Sequence, residues 1–533
     1  MDRRGRRRVT RAAPCCVGLL SPRAFHLTWA PVGHPGFRIV KNDRDADVHR
    51  AATRFTSPRK RGEVTEPHGR AIRDCSRGEG RHTAARTPGT RDASLRDGET
   101  NRASDLTGMW PLIRNALGAL VLLLVFGAIA FAVIAWRPEV AAIAAPPTRA
   151  GFDRKDIEQG AALAAIGNCD VCHTAAGGAF YAGGRSIPTP FGTVYATNIT
   201  PEPATGIGEW SEVAFRRALR QGVARDGHHL YPVFPYDHFI DVNDADAHAL
   251  YAFLMTRAPI TAPPVPNDLP FPFSWRPALA LWKVLYLRPA RFKRDPAQSL
   301  VWNRGGYLVE GLAHCGACHT PRNAEGAERR DQKFAGGSSE GWYAPALNAT
   351  SPAPLPWTAD ELYAYLRHGD DPQHGAPAGP MASVAHNLAR VSDADVRAIA
   401  IYVASTIAAA PGAAPTQAPV ALLAATPAKD AAEVFAGACA SCHSGAPGAV
   451  AIDLAHSTAV NAPDPRNAIR MVLAGIMPSP GEPGPMMPAF AGALTDQQIA
   501  DLMSYIRGRF GHGPAWGELI DKVRAIRTGQ EKS

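Results

Sequence analysis

The chain has 533 residues, 46% of them apolar, enough for three or four domains with cores of their own, which excludes a wholly disordered protein. Its formal charge of +9 points to nucleic acid only until it is divided along the chain. Residues 1–108 hold 23 Lys and Arg against 12 Asp and Glu, leaving 34 against 36 for the rest, so the body has no basic excess and no nucleic-acid partner is expected.

Residues 1–108 are rich in Arg, Gly, Pro, Ser and Thr and show no helical or strand period. They cannot bury enough apolar surface to offset chain entropy, and read as a disordered basic extension holding Cys15, Cys16 and Cys75. From Asn115 to Trp136 come 22 uncharged, mainly apolar residues. At about 1.5 Å per residue such a run crosses a hydrocarbon core of about 30 Å, and segment 109–140 is expected to be a transmembrane anchor. Ala142-Ile143-Ala144 has the look of a signal-peptidase site, but the apolar run exceeds a signal peptide's core and Arg137 and Glu139 intervene, so the anchor is expected to stay uncleaved. Met109 to Arg114 has the layout of an export signal's charged start, and translation is expected to begin at Met109. Charge does not orient the anchor, because Arg114 on one side is balanced by Arg137 and Arg149 on the other.

Beyond the anchor one motif, Cys-x-x-Cys-His, occurs three times: Cys169, Cys172 and His173; Cys315, Cys318 and His319; Cys439, Cys442 and His443. A short helix leads into each copy, and each unit closes with a capped amphipathic helix beginning at Asn243, Ser392 or Thr495. Seven residues past those caps stand Leu250, Ile399 and Leu502, and ten past stand Phe253, Tyr402 and Tyr505, so three helices carry the same apolar face. Proline-rich stretches separate the units, and no Gly-rich nucleotide loop stands out.

On a helical turn the two thiols of Cys-x-x-Cys-His can add to the two vinyl groups of one haem while the adjacent His ligates its iron. One copy arises by chance in roughly one chain in two hundred of this composition. A zinc cluster would need a second Cys-x-x-Cys within a unit, and a thioredoxin-like pair would need an alternating strand pattern around it; neither is present. The six cysteines are therefore expected to hold three covalent haems c, with His173, His319 and His443 as axial ligands. A sixth ligand is expected in the loop ahead of each closing helix. The second unit offers Met381 and the third Met487, preferred over Met486 because it directly precedes Pro488. The first unit has no Met in that loop.

Several further motifs resemble one family. Pro188-Thr189-Pro190-Phe191-Gly192-Thr193, the run from Thr197-Asn198-Ile199-Thr200-Pro201 to Glu209-Trp210, and Leu230-Tyr231-Pro232 look like the trihaem cytochrome c subunits of membrane-bound periplasmic dehydrogenases, over about residues 109–510. One branch of that family serves quinoprotein alcohol or flavin gluconate-type dehydrogenases; the other serves molybdenum hydroxylases acting on aldehydes or N-heterocycles. The runs Pro232 to Phe239 and Ala249 to Arg257 are more similar to the molybdenum branch. The resemblance implies a molybdenum catalytic subunit and a small iron-sulfur subunit as partners, and ubiquinone or a downstream cytochrome and oxidase as acceptor. It also implies the cell inner membrane, with the haem domains facing the periplasm. Alcohol-dehydrogenase relatives carry a ligating Met where this chain has Phe234, which cannot coordinate. Either the first iron is five-coordinate or another side chain has taken over, and among His228, His229, His238 and Met255 the expected substitute is His238.

The expected fold is all-α, three tandem class I cytochrome c domains behind one N-terminal transmembrane helix. The domains span 151–262, 301–408 and 430–512, joined by a Pro-rich linker 263–300 and an Ala/Pro linker 409–429, with a C-terminal tail 513–533. The expected function is electron transfer from a partner dehydrogenase, with no catalytic site in this chain. A multihaem peroxidase would need an open iron under polar groups, and a haem sensor would need an output module; the Met loops of the second and third units oppose the former, and no such module is visible for the latter.

Overall fold

The computed structural model describes residues 97–288, 291–408, 429–443, 451–478 and 486–530, with side chains from Trp110 onward. Residues 1–96, including Cys15, Cys16 and Cys75, and most of the Ala/Pro linker, 409–428, lie outside the described residues. Among the described residues the chain is mostly helical, with two short hairpins that the all-α expectation did not include.

Helix α1 (Asp97–Ala135) starts twelve residues ahead of the expected anchor. Its part Trp110–Ala135 is long and apolar enough to cross a membrane, and Leu122, Leu123, Leu124 and Phe126 all stay exposed, where a soluble core helix would bury them.

In the first unit α2 (Arg154–Ile166) leads into α3 (Cys169–Cys172), the single turn that carries the first motif. Strands β1 (Ser186–Thr189) and β2 (Gly192–Tyr195) pair antiparallel, Ser186 opposite Tyr195, so the run Pro188 to Thr193 is the tip of a hairpin. Helices α4 (Glu212–Gln221) and α5 (Tyr236–Phe239) precede α6 (Asp244–Met255), whose cap Asn243 accepts a 2.8 Å hydrogen bond from the Asp246 amide. α6 crosses α2 at Gly160, where any Cβ would run into the Ala249 carbonyl and lie 2.7 Å from Cβ of Phe253. Only glycine permits that backbone approach.

Residues 263–300, expected as linker, contain α7 (Ala278–Tyr286), which packs against α1. The second unit repeats the plan of the first. α8 (Leu300–Tyr307) continues as a π-helical turn to Leu312 and leads into α9 (Gly316–His319); β3 (Gly337–Ser339) and β4 (Trp342–Ala344) form its hairpin. α10 (Ala359–His368), opened by a Thr358/Glu361 capping box, and α11 (Pro380–Leu388) precede α12 (Asp393–Ala408). α12 crosses α8 at Gly305, which meets the Ala398 carbonyl and Tyr402 as Gly160 meets Ala249 and Phe253.

The third unit has α13 (Lys429–Ala438), α14 (Ala440–His443), α15 (Thr458–Asn461), α16 (Arg466–Ala474) and α17 (Asp496–Phe510), the last opened by a Thr495/Gln498 capping box. Phe435 packs on Tyr505 at 5.4 Å, and Gly437, the glycine of α13, faces open space instead of a crossing helix. The segment expected as a tail folds into α18 (Leu519–Thr528), which packs on α16 and α17. The reason is a helical stripe, Leu519, Val523 and Ile526, whose last two residues are buried in the third core beside Trp516.

The buried apolar residues of the first two units form one continuous cluster from Ile157 to Val403, while the third unit has its own. Polar seams follow that division. Asn387 on α11 donates to Asn168 and to Asp170, both at 2.9 Å, beside the first motif. Asn467 on α16 completes the edge of β4 by bonding both the amide (2.9 Å) and the carbonyl (2.8 Å) of Tyr343.

Candidate functional site

The three motifs are built alike. Each presents two free thiols on one helical turn and a histidine at its end. Nδ1 of His173 lies 2.6 Å from the Thr197 carbonyl, Nδ1 of His319 2.6 Å from that of Pro345, and Nδ1 of His443 3.0 Å from that of Ile452. A carbonyl only accepts, so each Nδ1 carries the proton and donates it, which leaves the Nε2 lone pair for a metal. Burial lowers the pKa of His173 and His319, favouring the neutral ring that ligation requires.

Side-chain turns follow these carbonyls within a few residues. Asn198, next to Thr197, accepts from the amide (2.9 Å) and hydroxyl (2.7 Å) of Thr200. Asn348 accepts from Thr350 at the same two distances in the second unit, and Asp453, next to Ile452, accepts from the Ala455 amide at 2.9 Å in the third. The shared spacing Asn-x-Thr in the first two units is a signal in the sequence from which these turns could have been found.

The first thiol of each of the first two motifs is held away from its reactive form. Burial pushes Cys169 and Cys315 up to about 12, the reverse of the lowered pKa of a reactive thiolate. Among the described residues no cysteine belongs to a group of three or more clustered metal donors. The donor set, two thiols on a turn and one imidazole whose Nε2 lone pair is free, is what covalent haem c takes.

Met381, second residue of α11, is partly buried against the core shared by the first two units. Met487 is partly buried against the third core and is fixed by reciprocal backbone bonds with Ile476 of 2.8 and 3.0 Å, whereas Met486 is 71% exposed.

The first unit departs from expectation. Phe234 fills the corresponding position as an apolar side chain, its ring 5.2 Å from Phe239 and 6.5 Å from Tyr236. His238, the expected substitute ligand, faces the second unit: Nδ1 lies 2.6 Å from the Glu310 carbonyl and Nε2 2.7 Å from the Glu328 carboxylate. Burial works against its charge, but the hydrogen bond and charge of Glu328, with Asp237 and the Glu310 carbonyl, raise the ring to about 9. As it stands here the ring donates from both nitrogens, an arrangement that offers no lone pair to an iron. His229 bonds the Ala135 carbonyl at 2.9 Å and the Lys283 ammonium at 3.0 Å, His228 lies 2.6 Å from Asp226, and Met255 is buried on α6.

The first and second attachment turns are neighbours. His314, just before Cys315, reaches the Gly167 carbonyl two residues ahead of Cys169 at 3.3 Å. Arg185 donates to the Val171 carbonyl inside the first motif (2.6 Å) and forks onto Glu340 of the second hairpin, both bonds 2.7 Å.

Fold and site together define a c-type cytochrome, and residues 428–509 match the cytochrome c family model. The chain belongs to the cytochrome c subunits of membrane dehydrogenases. It is 36% identical over 414 residues to the fructose dehydrogenase cytochrome subunit of Gluconobacter japonicus, covering 72% of this chain and 85% of that one. It is 36% identical over 398 residues to the gluconate 2-dehydrogenase cytochrome c subunit of Pantoea cypripedii, covering 70% and 90%. It is also 45% identical over 400 residues to a nicotinate dehydrogenase subunit of Pseudomonas putida; that match takes in 74% of this chain but spans only 33% of the longer relative.

Proposed function

We propose that the chain is a membrane-anchored, trihaem electron-transfer subunit that accepts electrons from a partner dehydrogenase on the periplasmic face of the cell inner membrane and passes them to ubiquinone or the oxidase branch. The observation that carries this reading is the threefold recurrence of one donor set, two thiols on a turn and a histidine whose Nδ1 is tied to a downstream carbonyl. Three tandem domains, 151–262, 301–408 and 430–512, supply one set each. Bound haem c supplies one-electron chemistry.

The chain's own residues hold and tune. Cys169, Cys172, Cys315, Cys318, Cys439 and Cys442 attach the groups, and His173, His319 and His443 ligate from one side. Met381 and Met487 would serve as further ligands to the second and third, and the loop of the first unit has Phe234 and no Met. The contact of His314 with Gly167 and the fork of Arg185 on Glu340 keep the first two attachment turns side by side, which favours transfer between those units.

The partner is a molybdenum hydroxylase with a small iron-sulfur subunit. Support comes from the likeness of residues 232–239 and 249–257 to that branch, and from the 45% identity to part of an enzyme named for nicotinate, an N-heterocycle. Purifying the complex from membranes and measuring its metals tests this. Molybdenum with iron in excess of the haem is expected; a bound quinone or flavin without molybdenum overturns the partner while leaving the cytochrome role intact.

A further inference from the structure

Helix α7 and the loop before it carry an apolar surface that the described chain leaves largely exposed. Phe271 is 81% exposed, and Phe273, Trp275, Leu281, Val284 and Leu285 are all exposed large apolar residues. On α7 these alternate with a second face. Ala280 and Lys283 are buried, and Trp282 packs edge-on against Tyr236 at 6.0 Å while its Nε1 donates to the Glu325 carbonyl at 3.0 Å. One face therefore grips the cytochrome body, and Leu281, Val284 and Leu285, at spacings of three and four, point the other way.

The occupant of that outer face follows from what lies beside it. α7 packs against α1, and Trp275 stacks on Phe131 with ring centroids 5.4 Å apart. Phe131 lies within the apolar stretch Trp110–Ala135, four residues from its end, a depth of about 6 Å along a helix. A tryptophan held at that level sits at the boundary between headgroups and acyl chains, where Trp is favoured. Just past α7, Arg288, Lys293 and Arg294 are exposed, the flank that anionic headgroups attract.

We propose that residues 269–288 are a second membrane contact: the aromatic loop and the outer face of α7 insert into the outer-leaflet interface next to the anchor, with Arg288, Lys293 and Arg294 on lipid phosphates. The inference rests on reading α1 as a membrane anchor. It fixes the first unit against the bilayer surface instead of leaving it to swing on the anchor alone.

The test uses the full haem-loaded chain in nanodiscs of zwitterionic and anionic phospholipid, with Cys15, Cys16 and Cys75 changed to Ser and one nitroxide label at a time. Labels are placed at Leu285→Cys, at Leu123→Cys in the anchor and at Gln497→Cys on α17, and collision rates with oxygen and with a water-soluble nickel chelate are compared. The Leu285 label should favour oxygen over nickel several-fold relative to the Gln497 label. Equal nickel access at Leu285 and Gln497 overturns the contact, provided that Leu123 remains lipid-protected. Protection of Leu285 from both reagents overturns it in favour of a protein partner. If Leu123 itself is open to nickel, the anchor reading has failed, and the contact with it.

Discussion

Nε2 of His238 lies 2.7 Å from the carboxylate of Glu328, ninety residues further on, and this pair joins the first unit to the second beside Gly316 of the second attachment turn. Asp237, Asp241, His314, Cys318 and Arg322 are other charged or titratable groups that face the pair.

A structural role for the pair predicts the opposite of a ligand's behaviour. In His238→Ala the visible spectra and potentials of all three haems should be unchanged, while thermal stability falls because Glu328 is left buried without its partner. Loss of a low-spin haem in that variant would restore the histidine as a ligand.

The same pair sets a pH window. The ring is raised from 6.5 to about 9, so its stabilisation is complete below pH 6.5 and is lost as pH rises through about 9. The pKa of Glu328 is lowered by the same bond, despite its burial, so on the acid side the contribution disappears only as pH falls through that depressed value. The native chain should therefore melt at lower temperature at pH 10 than at pH 7, by more than Glu328→Gln does, with a wild-type difference on the order of 2–3 kcal/mol at most. Equal alkaline losses in the two proteins would remove the pair from the account.

What the sequence made legible was local. The three motifs, the caps Asn243, Ser392 and Thr495 and the faces of the closing helices all lie within a few residues of their signals, and each stands in the structure where spacing puts it. What escaped depends on partners far along the chain. Nothing near His238 announces Glu328, and nothing near Gly160 announces that Ala249 will press on it. α18 is the exception, since its stripe of Leu519, Val523 and Ile526 is local and only its place beyond the last repeat makes it read as a tail.

A first unit whose loop has Phe234 in place of a Met should show it spectroscopically. With Phe234 packed among Phe239 and Tyr236, and both ring nitrogens of His229 and of His238 bonded elsewhere, a trihaem chain should hold one haem that is five-coordinate and high-spin. Carbon monoxide added to the reduced protein should bind that haem and leave the other two. Phe234→Met should abolish the response and raise that haem's potential. Three haems indifferent to carbon monoxide in the native chain would show that a protein ligand is present after all.

Gly160 and Gly305 offer a test of the repeated helix crossing. Valine at either position drives a side chain into the carbonyl of Ala249 or Ala398, and the helices must separate. Overpacking of this kind costs about 3 kcal/mol or more where backbone is the obstacle. Gly160→Val should lower haem content by one per chain and Gly305→Val by another, measured as pyridine haemochrome per protein. Gly437→Ala, at a glycine with open space around it, should leave haem content unchanged.

The third unit separates two adjacent methionines. Met487 is tied to Ile476 through both backbone groups and turns its side chain toward the core that includes Leu502 and Met503, whereas Met486 is largely in solvent. Of the two, only Met487 has its side chain against that core, so it is the one that would serve an iron held by His443. Met487→Ala should therefore lose the charge-transfer absorption of one Met-ligated haem and lower that haem's potential, since thioether ligation raises it. Met486→Ala should change neither. The two variants are matched, because both substitutions remove the same atoms one residue apart, so a general loosening of the loop would affect them alike. An effect confined to Met486→Ala would reverse the assignment.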